Sequence, residues 1–155
     1  MKPFDPTDKA ILLALQRDAR QTMAELAEHV SLSQSPCWRR VRQLEESGVI
    51  EGYHAALSRK HLGYGVTGFI HLQMQDHTAE TTAAFEREVM ALPQVVACHN
   101  LSGNYDYLIE AVEADLESFS TLVRNKIRCL PGVKEIATSF SLKEVKASGS
   151  LPVGT

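Results

Sequence analysis

Apolar residues recur at helical spacing three times within the first 45 positions, and after residue 65 the rhythm changes to strict alternation. Ile11, Leu12 and Leu15 form the first stripe, behind Asp5-Pro6-Thr7-Asp8. That opening supplies an N-cap, a proline at the first helical position and acids where the helix dipole favours them. Met23, Leu26, Ala27 and Val30 form the second, entered through Thr22-Met23-Ala24-Glu25, a capping box in which hydroxyl and carboxylate satisfy orphan N–H groups reciprocally. Ser31-Leu32-Ser33 breaks the pattern, and Cys37, Val41 and Leu44 resume it. The spacing predicts a third helix with Ser35 as N-cap and Pro36 in its first turn, where a missing N–H costs nothing. Gly48 to Leu57 holds two short strand-like runs around Glu51-Gly52. They predict a hairpin wing, so residues 5–57 read as a winged helix-turn-helix.

Beyond a short basic stretch from Ser58 to Gly65, Val66, Gly68, Ile70, Leu72 and Met74 alternate with Thr67, Phe69, His71 and Gln73. That is a strand. A helix from about Thr81 to Leu92 carries Phe85, Val89 and Leu92 and stops at Pro93; Val95 to Leu101 is strand-like, and Tyr107-Ile109-Ala111 marks the next strand after a turn at Ser102-Gly103-Asn104. Asp115 caps a helix bearing Leu116, Phe119, Leu122, Val123, Ile127 and Leu130, and Val133 to Val145 reads as the last strand. The order β-α-β-β-α-β, with Leu92-Pro93-Gln94-Val95 and Leu130-Pro131-Gly132-Val133 closing its two helices, predicts a ferredoxin-like sandwich. The chain is therefore of the α+β class. Its expected organisation is residues 1–57 as a DNA-binding domain, 58–65 as a linker and 66–155 as a second domain. A bare sheet face carrying Phe69 and Ile136 or Phe140 would be an exposed apolar patch, which predicts burial against a second copy of the chain.

Charge sharpens this picture. The net formal charge of −3 looks wrong for a nucleic-acid binder, but residues 1–60 hold nine Lys or Arg against eight Asp or Glu, and residues 61–155 hold seven against eleven. The acidity belongs to the second half, so DNA affinity would come from a local patch. On the third helix no acid intervenes between Glu28 and Glu45. At 100° per residue, Ser35, Arg39, Arg42 and Glu46 fall opposite the apolar sector, with Gln43 beside them, while Arg40 flanks that sector. Guanidiniums, a hydroxyl and an amide suit the donor and acceptor code of the major groove. The candidate DNA-contacting residues are Ser33, Gln34, Ser35, Arg39, Arg40, Arg42 and Gln43. A solvated helix face would be the default for three arginines alone; the capped helix, the turn and Pro36 reverse it. Arg40, at the sector's edge, goes to a phosphate or to an intramolecular partner.

Other classes of function find less support. Six histidines offer no pair at metal-ligand spacing on one element, and no glycine-rich phosphate loop occurs, so no catalytic residue, metal or cofactor is expected. Cysteines 37, 98 and 129 are odd in number and widely spaced. They predict buried core thiols in a reducing cytoplasm, and none has the cationic setting of a thiol sensor. No apolar run is long enough to span a membrane, and the polar, proline-punctuated start is unlike a secretory signal. A free-standing effector or assembly module would not need the basic helix.

Several segments together resemble the leucine-responsive and asparagine-responsive regulator family (Lrp/AsnC). These are Asp5-Pro6-Thr7-Asp8-Lys9-Ala10-Ile11-Leu12, then Leu32-Ser33-Gln34-Ser35-Pro36-Cys37-Trp38-Arg39-Arg40-Val41 with Leu44-Glu45-Glu46-Ser47-Gly48-Val49-Ile50, and later Leu62-Gly63, Cys98-His99, Ser102-Gly103-Asn104-Tyr105-Asp106-Tyr107-Leu108, Leu130-Pro131-Gly132-Val133 and Val145-Lys146. The resemblance implies a transcription factor that binds double-stranded DNA, dimerises through its C-terminal sheet, and assembles further into tetramers or octamers. It also implies an amino-acid or related small-molecule effector, bound where C-terminal domains of neighbouring dimers meet. Carried over, the effector loop maps onto Ser102 to Tyr107, where the family more often has Thr and Asp at the positions of Ser102 and Asn104; the candidate effector residues are Leu101, Ser102, Gly103, Asn104, Tyr105 and Asp106, with the hydroxyls of Thr138 and Ser139 nearby if the central strands flank the outer ones as the fold requires. The loop makes independent sense. Gly103 lets backbone N–H groups converge on a carboxylate, and Asp106 can pair with an α-ammonium.

Overall fold

The computed structural model describes residues 4–146 and 149–153. Met1, Lys2 and Pro3, part of the start read above, and Thr155, where the second domain was expected to end, lie outside them. The chain divides into two compact units, with the breaks between Ala56 and Leu57 and between Val145 and Lys146.

The first unit holds α1 (Pro6–Arg17), α2 (Met23–His29) and α3 (Gln34–Glu46). The starts of α1 and α2 are written in the sequence. Asp5 accepts from the Asp8 N–H at the head of α1, and Thr22 and Glu25 complete the capping box on α2. Ile11, Leu12, Leu26, Ala27, Cys37, Val41 and Leu44 form one buried cluster, so each helix buries its expected stripe. Two expectations fail. α3 begins two residues early, with Ser33 as N-cap and no side-chain cap bond, which puts Pro36 at the third helical position. Its missing N–H is still one of the orphans there. The second concerns strand pairing in the stretch read as the wing's hairpin: none of residues 51–57 forms a strand. Two short isolated strands gain too little to hold a ladder by themselves. Instead Tyr53 hydrogen-bonds Glu45 Oε at 2.8 Å.

The second unit is a four-stranded antiparallel sheet in the order β2-β3-β1-β4, from β1 (Val66–Met74), β2 (Val95–Asn100), β3 (Tyr107–Glu113) and β4 (Val133–Phe140). α4 (Ala79–Met90) and α5 (Leu116–Asn125), the latter followed by a 3₁₀ turn at Ile127–Cys129, cover one face. Phe85, Val89, Phe119 and Leu122 interlock there with Ile70, Leu72, Ile109 and Ala111. Leu116, expected in the stripe, sits exposed at the first position of α5. β4 ends at Phe140, five residues short of the expected Val145.

Register decides which side chains the bare face carries. Leu72 pairs with Ile136 and Gly68 with Phe140, and directly opposed residues share a face. Ile136 and Phe140 therefore lie on the helix-covered side, and the Phe140 ring meets Phe119 edge-on at 5.2 Å. The bare face carries Phe69, His71 and Gln73 on β1, Leu108 and Glu110 on β3, and Ala137 and Ser139 on β4. It is more mixed than alternation alone implied.

Residues 58–65 coil into turns that belong to the second unit: Arg59 bonds Glu110 at 2.9 Å and Thr67 at 3.1 Å, and the Gly65 N–H meets the Ala114 carbonyl. The tail does the reverse. It was expected to close the second domain, yet Gln16 clasps both backbone groups of Leu151, at 2.6 and 3.1 Å, and Val153 packs on the first unit's core.

Candidate functional site

The turn between α2 and α3 holds Ser31 at φ 54°, in a left-handed conformation that few residues other than glycine adopt. Sequence reasoning missed it, because serine is not the residue that marks such positions. The turn lets Leu26, Ala27, Cys37 and Val41 share one core. The far side of α3 then stands free, with Gln34, Ser35, Arg39, Arg42 and Gln43 exposed and Ser33 at its N-cap.

The three arginines have separate fates. Arg40 reaches back to α1, where Nη1 meets Asp5 at 2.6 Å and Asp8 at 2.7 Å. Of the two roles left open for it, the intramolecular one is the structure's. Arg42 donates through Nε to Glu46 at 2.7 Å and lies 5.2 Å over the Trp38 ring. Arg39 has no ion-pair partner among the described residues. Trp38, half-exposed, also borders a cleft of about 430 Å³ with Leu15, Met23, Glu45 and Tyr53. Desolvation and the adjoining Glu45 carboxylate push the Tyr53 phenol up to about 12.

The Asp8 backbone N–H and then the Arg40 guanidinium hold the Asp5 carboxyl below its ordinary 3.8. A depressed folded-state value contributes stability that is fully present above the unfolded value and is lost as pH falls through the folded one. Acid unfolding of the first unit should therefore begin below about pH 4 and be less steep in Asp5→Asn than in wild type. Circular dichroism from pH 5 to 2 measures it, and identical slopes would show that the Asp5–Arg40 pair carries none of the pH dependence.

The second candidate site is the loop joining β2 to β3. The Leu101 N–H bonds the Asp106 carbonyl at 2.7 Å and closes the loop; the Asp106 N–H donates to the Leu72 carbonyl at 2.8 Å and ties it to β1. The Asp106 carboxylate is already half used: Oδ2 accepts the Met74 N–H at 2.6 Å, while Oδ1 lies 3.8 Å from His77 Nε2. Gln73 donates to the Asn104 carbonyl at 2.7 Å, and the Tyr105 ring sits 5.0 Å from His71. Gly103 has φ 132° and open space where a Cβ would be. Among the described residues, no acceptor meets the backbone N–H groups of Ser102, Gly103, Asn104 and Tyr105. Ser102, Gly103 and Asn104 are exposed there.

Thr138 and Ser139 do not join this loop within one chain. They pair with Ile70 and Phe69, whereas the loop is anchored at Leu72 and Met74, on the far side of β1 from β4. Two strand spacings separate them across the sheet, roughly 10 Å, plus at least roughly 7 Å along it. Of the three thiols expected in the core, Cys37 alone is buried, Cys98 is half-buried and Cys129 stands outside it, exposed; desolvation pushes the Cys37 and Cys98 thiols up, with Glu86 adding to the effect at Cys98. Among the described residues no group of three or more His, Cys, Asp or Glu could hold a metal ion, and no helix is long and apolar enough to cross a membrane.

Residues 67–151 match the Lrp/AsnC ligand binding domain, and residues 4–51 match a winged helix-turn-helix DNA-binding domain. Over 154 residues the chain is 34% identical to the leucine-responsive regulatory protein of Escherichia coli K12, covering 99% of this chain and 94% of that one. It is 32% identical over 150 residues to the DNA-binding transcriptional activator DecR of the same organism, covering 97% and 99%. Among solved structures, a transcriptional regulator from Neisseria meningitidis in complex with L-Met superposes with a TM-score of 0.93 at 38% identity, covering 97% of each chain.

Proposed function

Because this chain belongs to the Lrp/AsnC family of DNA-binding transcriptional regulators, with a helix-turn-helix and an amino-acid-responsive ligand domain, we propose which residues carry each role. The family is non-enzymatic, and its members act by binding DNA. Residues up to 56 read DNA, 58–65 connect while coiling onto the sheet unit, and that unit takes the effector; the protein works in the cytoplasm. α3 enters the major groove, with Arg39 and Arg42 toward base edges and Ser33, Gln34, Ser35 and Gln43 on bases or backbone. Arg40 acts only by holding α3 on α1.

The effector is an α-amino acid, and the loop at Ser102 to Asp106 receives it. The observation that carries this is the run of N–H groups around Gly103 that meet no acceptor among the described residues, on the same loop as Asp106 Oδ1, which accepts no hydrogen bond and has only His77 at 3.8 Å. One suits a carboxylate, the other an ammonium. The L-Met bound by the Neisseria relative supports the ligand class. Thr138 and Ser139 would reach such a ligand only from a neighbouring copy.

Melting the protein against each of the twenty amino acids identifies the effector, since a ligand at a hundred times its Kd adds about 2.7 kcal/mol of apparent stability. Asp106→Asn keeps an acceptor for the Met74 N–H and removes the charge. It should raise the effector Kd by roughly 10- to 150-fold, the loss of a charge-assisted bond, and leave operator affinity without ligand unchanged. An unchanged Kd by calorimetric titration would remove Asp106 from the site.

The same sheet makes a homodimer, the unit from which tetramers or octamers build. Phe69, Leu108 and Ala137 share its bare face with His71, Gln73, Glu110 and Ser139, a composition suited to an interface core with a polar rim. Phe69→Glu should then shift the protein to monomers by light scattering; an unchanged mass would move the interface elsewhere.

A further inference from the structure

We propose that Arg42 reads a guanine through its two terminal nitrogens, with Glu46 and Trp38 as the positioning residues that hold it in that geometry. This rests on the reading that α3 enters the major groove. A guanidinium can present two different pairs of donors, one including Nε and one made of Nη1 and Nη2. In Arg42 the Nε–H is taken by Glu46 one turn on, at 2.7 Å. The remaining pair is the one at the tip, and it points away from the side chain's own stem. That fork matches O6 and N7 of guanine. Meanwhile the guanidinium carbon lies 5.2 Å over the Trp38 ring, within cation–π reach, so that the ring supports it from a second side. A free arginine loses much rotamer freedom on docking, and one held from two sides before it meets DNA loses less.

Glu46 has a second effect, of opposite sign for wrong sequences. A carboxylate on the reading face repels phosphates, so it lowers affinity for every duplex and is offset only where Arg42 finds its base. A guanidinium meant for a phosphate would gain nothing from such a neighbour. Arg39, on the same face, has no counterpart to Glu46 and is the contrast within one helix. Arg42 and Glu46 are exposed and Trp38 is half-exposed, all three outside the buried cluster of the first unit.

The test uses the full-length protein and a duplex selected by wild type from a randomised pool, together with a scrambled duplex and a set in which each guanine in turn is replaced by 7-deazaguanine, which lacks N7. Wild type should discriminate against one modified guanine per half-site. Arg42→Ala should lose discrimination at that position by roughly 5- to 150-fold and become indifferent to the modification. Glu46→Ala and Trp38→Ala should each weaken discrimination at the same base by about two- to fivefold, and Glu46→Ala should tighten binding to the scrambled duplex. Glu46→Gln, which keeps an acceptor for Nε, should restore the discrimination but not the repulsion; Trp38→Phe should retain most of it. Equal loss on selected and scrambled duplexes in Arg42→Ala would make Arg42 a phosphate contact and overturn the proposal while leaving α3 in the groove. Unchanged discrimination in Glu46→Ala would overturn the positioning role. If Arg39→Ala and Arg42→Ala both bind every duplex like wild type, the placement of α3 itself fails.

Discussion

Phe119→Ala is expected to destabilise the sheet unit by about 3–5 kcal/mol, the range for deleting a buried aromatic ring. The ring is 1% exposed, and a Cβ added at Gly68 would collide with its tip. Phe140 packs against it in a T-shaped pair. Gly68 is thus a glycine because α5 delivers a ring into the space a β1 side chain would occupy, and the site cannot collapse to fill the cavity without moving that helix. Because the chain forms two compact units, calorimetry should resolve two transitions in the variant, the sheet unit melting more than roughly 10 °C lower and the helical unit unmoved. The converse change, Gly68→Ala, overpacks the same place and should cost about 1–3 kcal/mol. Effector binding should go with the sheet, since the loop at Ser102 to Asp106 is held by strand-end hydrogen bonds to β1. A shift of only a few degrees in Phe119→Ala would mean that the contacts around this ring contribute little.

What could be read from the sequence and what could not divides along the range of the interactions. Caps are local, so Asp5, Thr22, Glu25 and Asp115 mark helix starts within three residues of the groups they satisfy. The alternation from Val66 to Met74 likewise names its buried side without a partner strand. Ile136 and Phe140 could not be placed that way, because β4 has polar and apolar residues on both faces and only its register against β1 assigns them. The same register keeps Thr138 and Ser139 from the loop. Arg40 and Asp5 are 35 residues apart, and nothing in the helical wheel of α3 shows that α1 supplies two carboxylates at that point. The wheel did place Glu46 beside Arg42, at a spacing where opposite charges meet. Gln16 and Leu151 are 135 residues apart, so the tail's return to the first unit was hidden entirely.

Arg39→Ala should weaken binding to the cognate operator by roughly 5- to 150-fold, the worth of one good base contact at about 1–3 kcal/mol, and should relax sequence preference at one position per half-site. The reason is positional. Arg39 lies opposite Cys37, Val41 and Leu44, which are buried, and no acid of its own chain neutralises it among the described residues. Arg40, one residue on, is spent on Asp5 and Asp8, so Arg40→Ala should act through stability and lower affinity for all duplexes by a common factor. A base contact and a phosphate contact differ in their salt dependence: losing a phosphate contact reduces the slope of log K against log salt by about one, whereas losing a base contact leaves it nearly unchanged. Titrating both variants with operator and scrambled duplex across a salt series separates the cases. Operator affinity of Arg39→Ala equal to wild type at every salt concentration would take Arg39 out of the groove and leave the reading of sequence to the other exposed residues of α3.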